Sequence, residues 1–256
     1  MTGRRWRQLG RIAAATLGLG CLLATLTPPL ADAMTFDRHA VRHLLLAMVA
    51  PLAFALSTPI TFALRTLPHR LRRILLALLR SRLARALSTA PVVLALDVGG
   101  MYAFYLTPLY SATHERPWLN ALVDAHMFLA GCLLSWYLVG RDPMPSPPST
   151  RTRLIVLLLA AGSHDLLAKL MYAQHLPAHG GSTEQLQLGA QIMFYGGDVV
   201  EVALAVLVLA NWYARTGRQL RQTERQHQRQ AERRARTGEA TPRRLGSPLP
   251  QPDDPG

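Results

Sequence analysis

Apolar residues run in long blocks along this chain, and the charged residues collect in the gaps between them. No formal charge falls in the 20 residues between Arg11 and Asp32, nor in the 22 between Arg42 and Arg65. A helix of about 20 apolar residues matches the hydrocarbon thickness of a bilayer. A helix on a soluble surface shows a polar face every third or fourth residue, and these blocks do not. The pattern predicts an all-α membrane domain over residues 1–214, a polytopic bundle of six spans near 12–31, 42–63, 90–111, 119–139, 154–174 and 187–212. Between the second and third spans, 69–88 begins His69-Arg70-Leu71-Arg72-Arg73-Ile74-Leu75-Leu76. Its apolar core is too short to cross, and an amphipathic helix on the membrane surface is expected. From Arg215 the chain is rich in Arg, Gln and Glu, then in Pro and Gly from Thr241, which predicts a frayed helix followed by a disordered basic tail over 215–256.

Composition adds direction to this plan. The 256 residues are 50% hydrophobic and carry 28 Lys+Arg against 15 Asp+Glu, a formal charge of +13. Such a balance can signal nucleic acid, but the arginines are sorted by loop rather than spread over one surface. The N-terminus, the loops after spans two and four, and the tail hold 24 of them, against Arg38, Arg42 and Arg116 on the other side. Basic loops stay cytoplasmic, so both termini are expected inside, which requires an even number of spans. Nucleic acid is not an expected partner. The lipid bilayer is, including its anionic headgroups. The basic start, the apolar run and Leu30-Ala31-Asp32-Ala33 also allow a cleavable leader in place of span one. Cys21 and Cys132 form neither a disulfide framework nor a CxxC site.

Polar groups inside the later spans carry the candidate chemistry. Asp97, Asp124, Asp165, Lys169, Asp198 and Glu201 each cost about 2.5–3.5 kcal/mol at mid-bilayer, so they are expected to face the bundle interior as a polar network. Asp165 and Lys169, at i,i+4, share a face and can pair. Asp198 and Glu201, at i,i+3, share another. These groups can serve function or simply pin helices together. His39 and His43 stand one turn apart at the expected outer mouth of span two, with Met34 and Asp37 upstream. His126, beside Met127, and His164 lie on later spans. Imidazole and thioether together suit copper, the thioether favouring the cuprous state.

Several segments, in order, resemble the multispan CtaG-type assembly factors of cytochrome c oxidase, from about Trp6 to Trp212. They are His39-Ala-Val-Arg-His43 through Pro51 with Thr58-Pro59, Leu64-Arg65 and Pro68, and Tyr102 through Pro108 and Tyr110. His126 through Gly131 with Trp136, Gly140-Arg-Asp142-Pro143-Met-Pro145, His164, and Glu184 through Asp198 complete the set. There are departures. The family's usual HMxQH has Ala40 for its methionine and Arg42 for its glutamine, and a histidine often found just before the span-four histidine is Asp124 here. Family members commonly have seven spans, so the first is expected to be missing.

The resemblance implies a bacterial inner-membrane protein that helps build the haem–copper oxidase. Its partners would be oxidase subunits and its cargo copper, bound transiently and delivered from outside. His39 and His43 would meet the ion first, and His126, His164, Met34 and Asp198 are further hypothetical ligands. Three other readings stay open: a haem protein with axial histidines such as His43, His126 and His164, an ion or proton conduit through the intramembrane carboxylates, and a structural scaffold packed through Gly99-Gly100 and Gly196-Gly197. Enzymatic chemistry is not expected. No nucleophile–base spacing or phosphate-cradling glycine loop is present.

Overall fold

The computed structural model describes residues 2–31 and 35–237, and for residues 2–4, 7 and 231–237 it describes the backbone alone. Every described element is helical. In chain order they are α1 (Thr2–Thr25), α2 (Phe36–Ser57), α3 (Pro59–Thr66), α4 (His69–Leu79), α5 (Arg82–Leu87), α6 (Ala90–Leu106), α7 (Leu109–Glu115), α8 (Pro117–Val139), α9 (Thr150–Gln174) and α10 (Thr183–Thr237). Among the described residues, the five helices α1, α2, α8, α9 and α10 are long and apolar enough to cross a bilayer. Helices α6 and α7 make a sixth crossing if taken as one span bent by 75°. The protein is therefore an all-α, multi-pass membrane bundle. Met34, the Asp32-Ala33 part of the leader-like motif, and the tail beyond Thr237 lie outside the described residues.

Two compact units divide the chain at Asn211–Trp212. The first holds the apolar bundle. The described part of the second is helical to Thr237, its side chains mostly exposed as far as Gln230. The surface helix expected over 69–88 is two helices, α4 and α5. Ser81 parts them, its Oγ accepting the Ala84 N–H at 3.0 Å as the cap of α5.

Helix α2 starts at Phe36, six residues ahead of the expected edge at 42. The reason is Arg42. A charge that marks a boundary in sequence is balanced inside the bundle by Asp124 of α8, Nη2 to Oδ2 at 2.6 Å. Within α2, Leu44–Val49 form a π turn. Pro51 has no N–H to offer the Ala47 carbonyl, and its ring crowds that oxygen. A wider turn just ahead relieves both problems. Gly131 of α8 packs against that same carbonyl, where any Cβ would strike it.

Helix α2 ends at Thr58, in the left-handed region at φ 58°. Pro59 then opens α3, at a position where its missing N–H costs nothing. The next two amides, of Ile60 and Thr61, donate to the Asp142 carboxylate at 3.1 and 2.8 Å, and the Thr61 hydroxyl joins them at 2.5 Å. Gly140, at φ 57°, closes α8 by donating to the Trp136 carbonyl at 3.0 Å. Arg153 Nη1 and Asn211 Nδ2 donate to the last-turn carbonyls of Leu138 and Val139 at 2.8 and 2.9 Å. The Gly140-Arg-Asp142-Pro143 corner is thus a set of helix caps.

That corner gathers the end of α2, the start of α9 and residue 211 of α10 at one end of the first unit. Arg11 of α1 acts there on Arg141, whose pKa is held below arginine's ordinary value by burial first and by Arg11 second. At the opposite, arginine-poor end, the Phe36 N–H donates to the Gly180 carbonyl at 2.8 Å, and Ser111 Oγ donates to that of Ala178 at 3.2 Å. An apolar cluster around Phe36, Phe104, Tyr105, Tyr110, Met171 and Met193, each no more than 2% exposed, fills that end. A second, around Val93, Tyr137, Leu138, Val156 and Val208, fills the other. A cavity lies where they meet, walled by Met101 and Met127 of the first cluster and by Leu157, Val200 and Leu204 of the second.

Candidate metal centre

Five helices each send one ionisable side chain to the wall of this cavity of about 60 Å³: His43 from α2, Asp97 from α6, His126 from α8, His164 from α9 and Glu201 from α10. Three thioethers, of Met48, Met101 and Met127, line it as well. At 1.5 Å of rise per residue, His43, Asp97, His126 and His164 sit about 10–15 Å along their helices from the arginine-poor end. That is close to the middle of a bilayer core about 30 Å thick.

The two π turns shape this wall. One follows His43 directly and carries Met48; the other, Ala95–Gly99, carries Leu96 and Asp97. In an ordinary helix, residues five apart point in different directions. A π turn repeats near that interval, so His43 and Met48 reach the same cavity. Two glycines make room for the imidazoles. A Cβ at Gly100 would collide with the His126 ring, and one at Gly197 with the His164 ring.

The histidines are buried and poorly satisfied. His43 and His164 are 6% and 4% exposed. Their ring centres stand 6.4 Å apart, with planes inclined by 15°. His43 Nδ1 and both nitrogens of His164 lack hydrogen-bond partners. His164 Nδ1 stands 3.3 Å from Glu201 Oε1, near enough to pair but not aligned as a hydrogen bond. His126 is held differently. Its Nε2 meets the Leu96 carbonyl at 3.1 Å. A carbonyl only accepts, so that nitrogen carries the proton and Nδ1 keeps a lone pair for a ligand role. Unmet imidazole nitrogens beside thioethers form a donor set for a soft cation.

The other sequence-selected residues are placed as follows. His39 is buried among the rings of Phe36, Phe104, Tyr105 and Tyr110, with Nε2 3.2 Å from the Tyr105 hydroxyl. It does not stand at an open mouth. The Tyr105 ring packs edge-on against His39 and His43 alike, at 5.9 and 5.8 Å. Asp124 is committed to Arg42. The expected Asp165–Lys169 pair is not made, because the Lys169 ammonium stands 5.0 Å over the Phe194 ring instead. Asp165 approaches His164 and Glu201. Asp198 is half-buried and acts electrostatically on Asp165, off the cavity wall. Met48 and Met101 join the wall without a mark in the sequence, and the π turn that aims Met48 has no signature in composition or period.

A family model described as cytochrome c oxidase caa3 assembly factor matches residues 1–215. Two uncharacterized proteins, one of Mycobacterium bovis and one of Mycobacterium tuberculosis, are each 30% identical to the chain over 152 residues. The match takes in 56% of this chain and 23% of each relative, so the chain spans about a quarter of the length of the curated relatives it matches. No solved structure matches it.

Proposed function

The chain belongs to the cytochrome c oxidase caa3 assembly factor family, and from that premise we propose that it takes up copper at the outer face of the bacterial cytoplasmic membrane and passes it to an oxidase under assembly. Copper is cargo in this reading, not a resident cofactor. The supporting observation is the donor set of one cavity: the imidazoles of His43, His126 and His164 with the thioethers of Met48, Met101 and Met127. Thioether and imidazole favour the cuprous ion over harder cations. A transfer protein must also release what it binds, and imidazole and thioether are neutral ligands that exchange readily, while the Asp97 and Glu201 carboxylates stand on the same wall.

The sorting of 24 arginines to one side supports placing the opposite end outward. Incoming copper would then pass the aromatic cluster around His39 before reaching His43. The volume of the cavity favours an ion over a macrocycle. About 60 Å³ accommodates an ion and its near neighbours, whereas pockets for organic ligands run to about 300–1,000 Å³. A scaffold role would not call for imidazoles left without hydrogen bonds in the membrane interior, since each unmet buried polar group is destabilising.

Anaerobic titration of the detergent-purified protein with Cu(I), against a chromophoric competitor, tests the reading. His43→Ala and His164→Ala are expected to weaken binding by at least about tenfold, the scale reached by losing even a residue that only orients a metal ligand. Affinity unchanged in both variants would remove the site. In cells, deletion of the gene is expected to lower oxidase activity, with recovery in excess copper. Normal oxidase in the deletion strain would overturn the assembly role.

A further inference from the structure

Beside the imidazole–thioether wall stands a donor group of different chemistry. His164, Asp165 and Glu201 each offer one ligand atom, all within 4.8 Å of one another, and among the described residues this is the single group of three His, Cys, Asp or Glu so placed. We propose that these three side chains form a binding site for a divalent cation of the zinc class, distinct in ligand chemistry from the copper cavity with which they share His164 and Glu201.

The imidazole is the first argument. His164 is 4% exposed, and neither of its nitrogens has a hydrogen-bond partner. Its Nδ1 stands 3.3 Å from Glu201 Oε1. Asp165 Oδ1 is likewise buried without a partner. Charge is the second argument. Lys169, one turn along α9, turns to the Phe194 ring, so it acts on Asp165 only at a distance and forms no close ion pair with it. Asp97 and Asp198 lie within electrostatic reach of this group and add to its negative field. A doubly charged ion cancels the carboxylates of Asp165 and Glu201, which a membrane interior otherwise disfavours.

Donor type is the third argument. Carboxylate oxygens with an imidazole suit a borderline or hard divalent ion and not a cuprous one. Size agrees. Bonds of about 2.1 Å hold ligand atoms at most about 4.2 Å apart, and the three ligand atoms already lie within 4.8 Å of one another.

The test uses the full chain in detergent, with Co²⁺ as the spectroscopic probe and Zn²⁺ as its competitor. Expected is a d–d absorption band of nitrogen–oxygen coordination that Zn²⁺ abolishes. Asp165→Asn and Glu201→Gln, both near-isosteric, should each weaken Co²⁺ binding at least about tenfold, and Asp165→Asn, which lies off the cavity wall, should leave Cu(I) affinity within about threefold. Met101→Leu and Met127→Leu should do the reverse. No saturable Co²⁺ binding by the folded protein, or binding untouched by both carboxamide variants, overturns this site. Cu(I) binding that fails while Co²⁺ binding holds overturns the copper reading alone. If a carboxamide variant misfolds, the other variant, with thermal unfolding as control, decides.

Discussion

Arg42 and Asp124, 82 residues apart in the chain, meet across α2 and α8 with Nη2 2.6 Å from Oδ2. They are also the two positions where this sequence departs from the glutamine and histidine usual in the segments that resemble its family. In physical terms the two departures are one change, because a cation brought in on one helix is balanced by an anion on its neighbour. Arg42→Gln alone strands a carboxylate in the bundle, and Asp124→His alone strands a guanidinium. Each single variant is expected to lose about 3 kcal/mol, and the double variant to recover most of it. Thermal unfolding in detergent, read as a double-mutant cycle, checks this. A double variant as unstable as the sum of the singles would refute the compensation.

Gly197→Ala places a methyl group where the His164 ring stands, and Gly100→Ala does the same to His126. Both are expected to cost about 1–3 kcal/mol of stability. They should also weaken Cu(I) binding while Gly99→Ala, which meets nothing, leaves both quantities near wild type. Parallel unfolding and copper titrations separate the three. Equal behaviour would mean that the glycines serve helix packing in general and not the imidazoles.

Asp142 holds two amides and a hydroxyl at the start of α3. Asp142→Ala is expected to destabilise by about 1–2 kcal/mol, the scale of a lost helix cap, with Asp142→Asn in between. Because the contact lies about 80 residues away in sequence, proteolysis around Thr58–Thr66 should accelerate in the alanine variant. Unchanged cleavage there would show that α3 does not depend on this corner.

Orientation is open to direct measurement. Single cysteines placed at Arg225 and at Arg116, in a chain with Cys21 and Cys132 replaced, should react with an impermeant maleimide in opposite ways in intact cells. Arg116→Cys is expected to label from outside, and Arg225→Cys only after lysis. Labelling of Arg225→Cys in intact cells would reverse the copper route.

The spans were legible because a bilayer imposes a length and an apolarity that any reader of the sequence can measure. The all-α class and the membrane character followed from Leu- and Ala-rich blocks such as 154–174, which the structure extends only to Thr150–Gln174. What failed to show was whatever depends on a distant partner. Arg42 looked like a boundary because Asp124, which neutralises it, is remote in sequence. Lys169 looked like the partner of Asp165 because spacing alone cannot weigh the Phe194 ring against a carboxylate. His126 and His164 were chosen for their chemistry, but their convergence with His43 comes from helix packing and from two glycines.

The π turns at Leu44–Val49 and Ala95–Gly99 have a mechanical consequence. Each holds one residue more than an α-helical ladder of the same height, and that surplus sets the phase of everything upstream. Removing one residue from 44–49 would let the ladder close while swinging the preceding segment by about 100° about its axis. His39 would leave its aromatic surroundings, Arg42 its carboxylate and His43 its stacked neighbour, all in a single rotation with hardly any change in hydrophobic length. Within this span the number of residues, and not their identity alone, sets which side chains face the cavity.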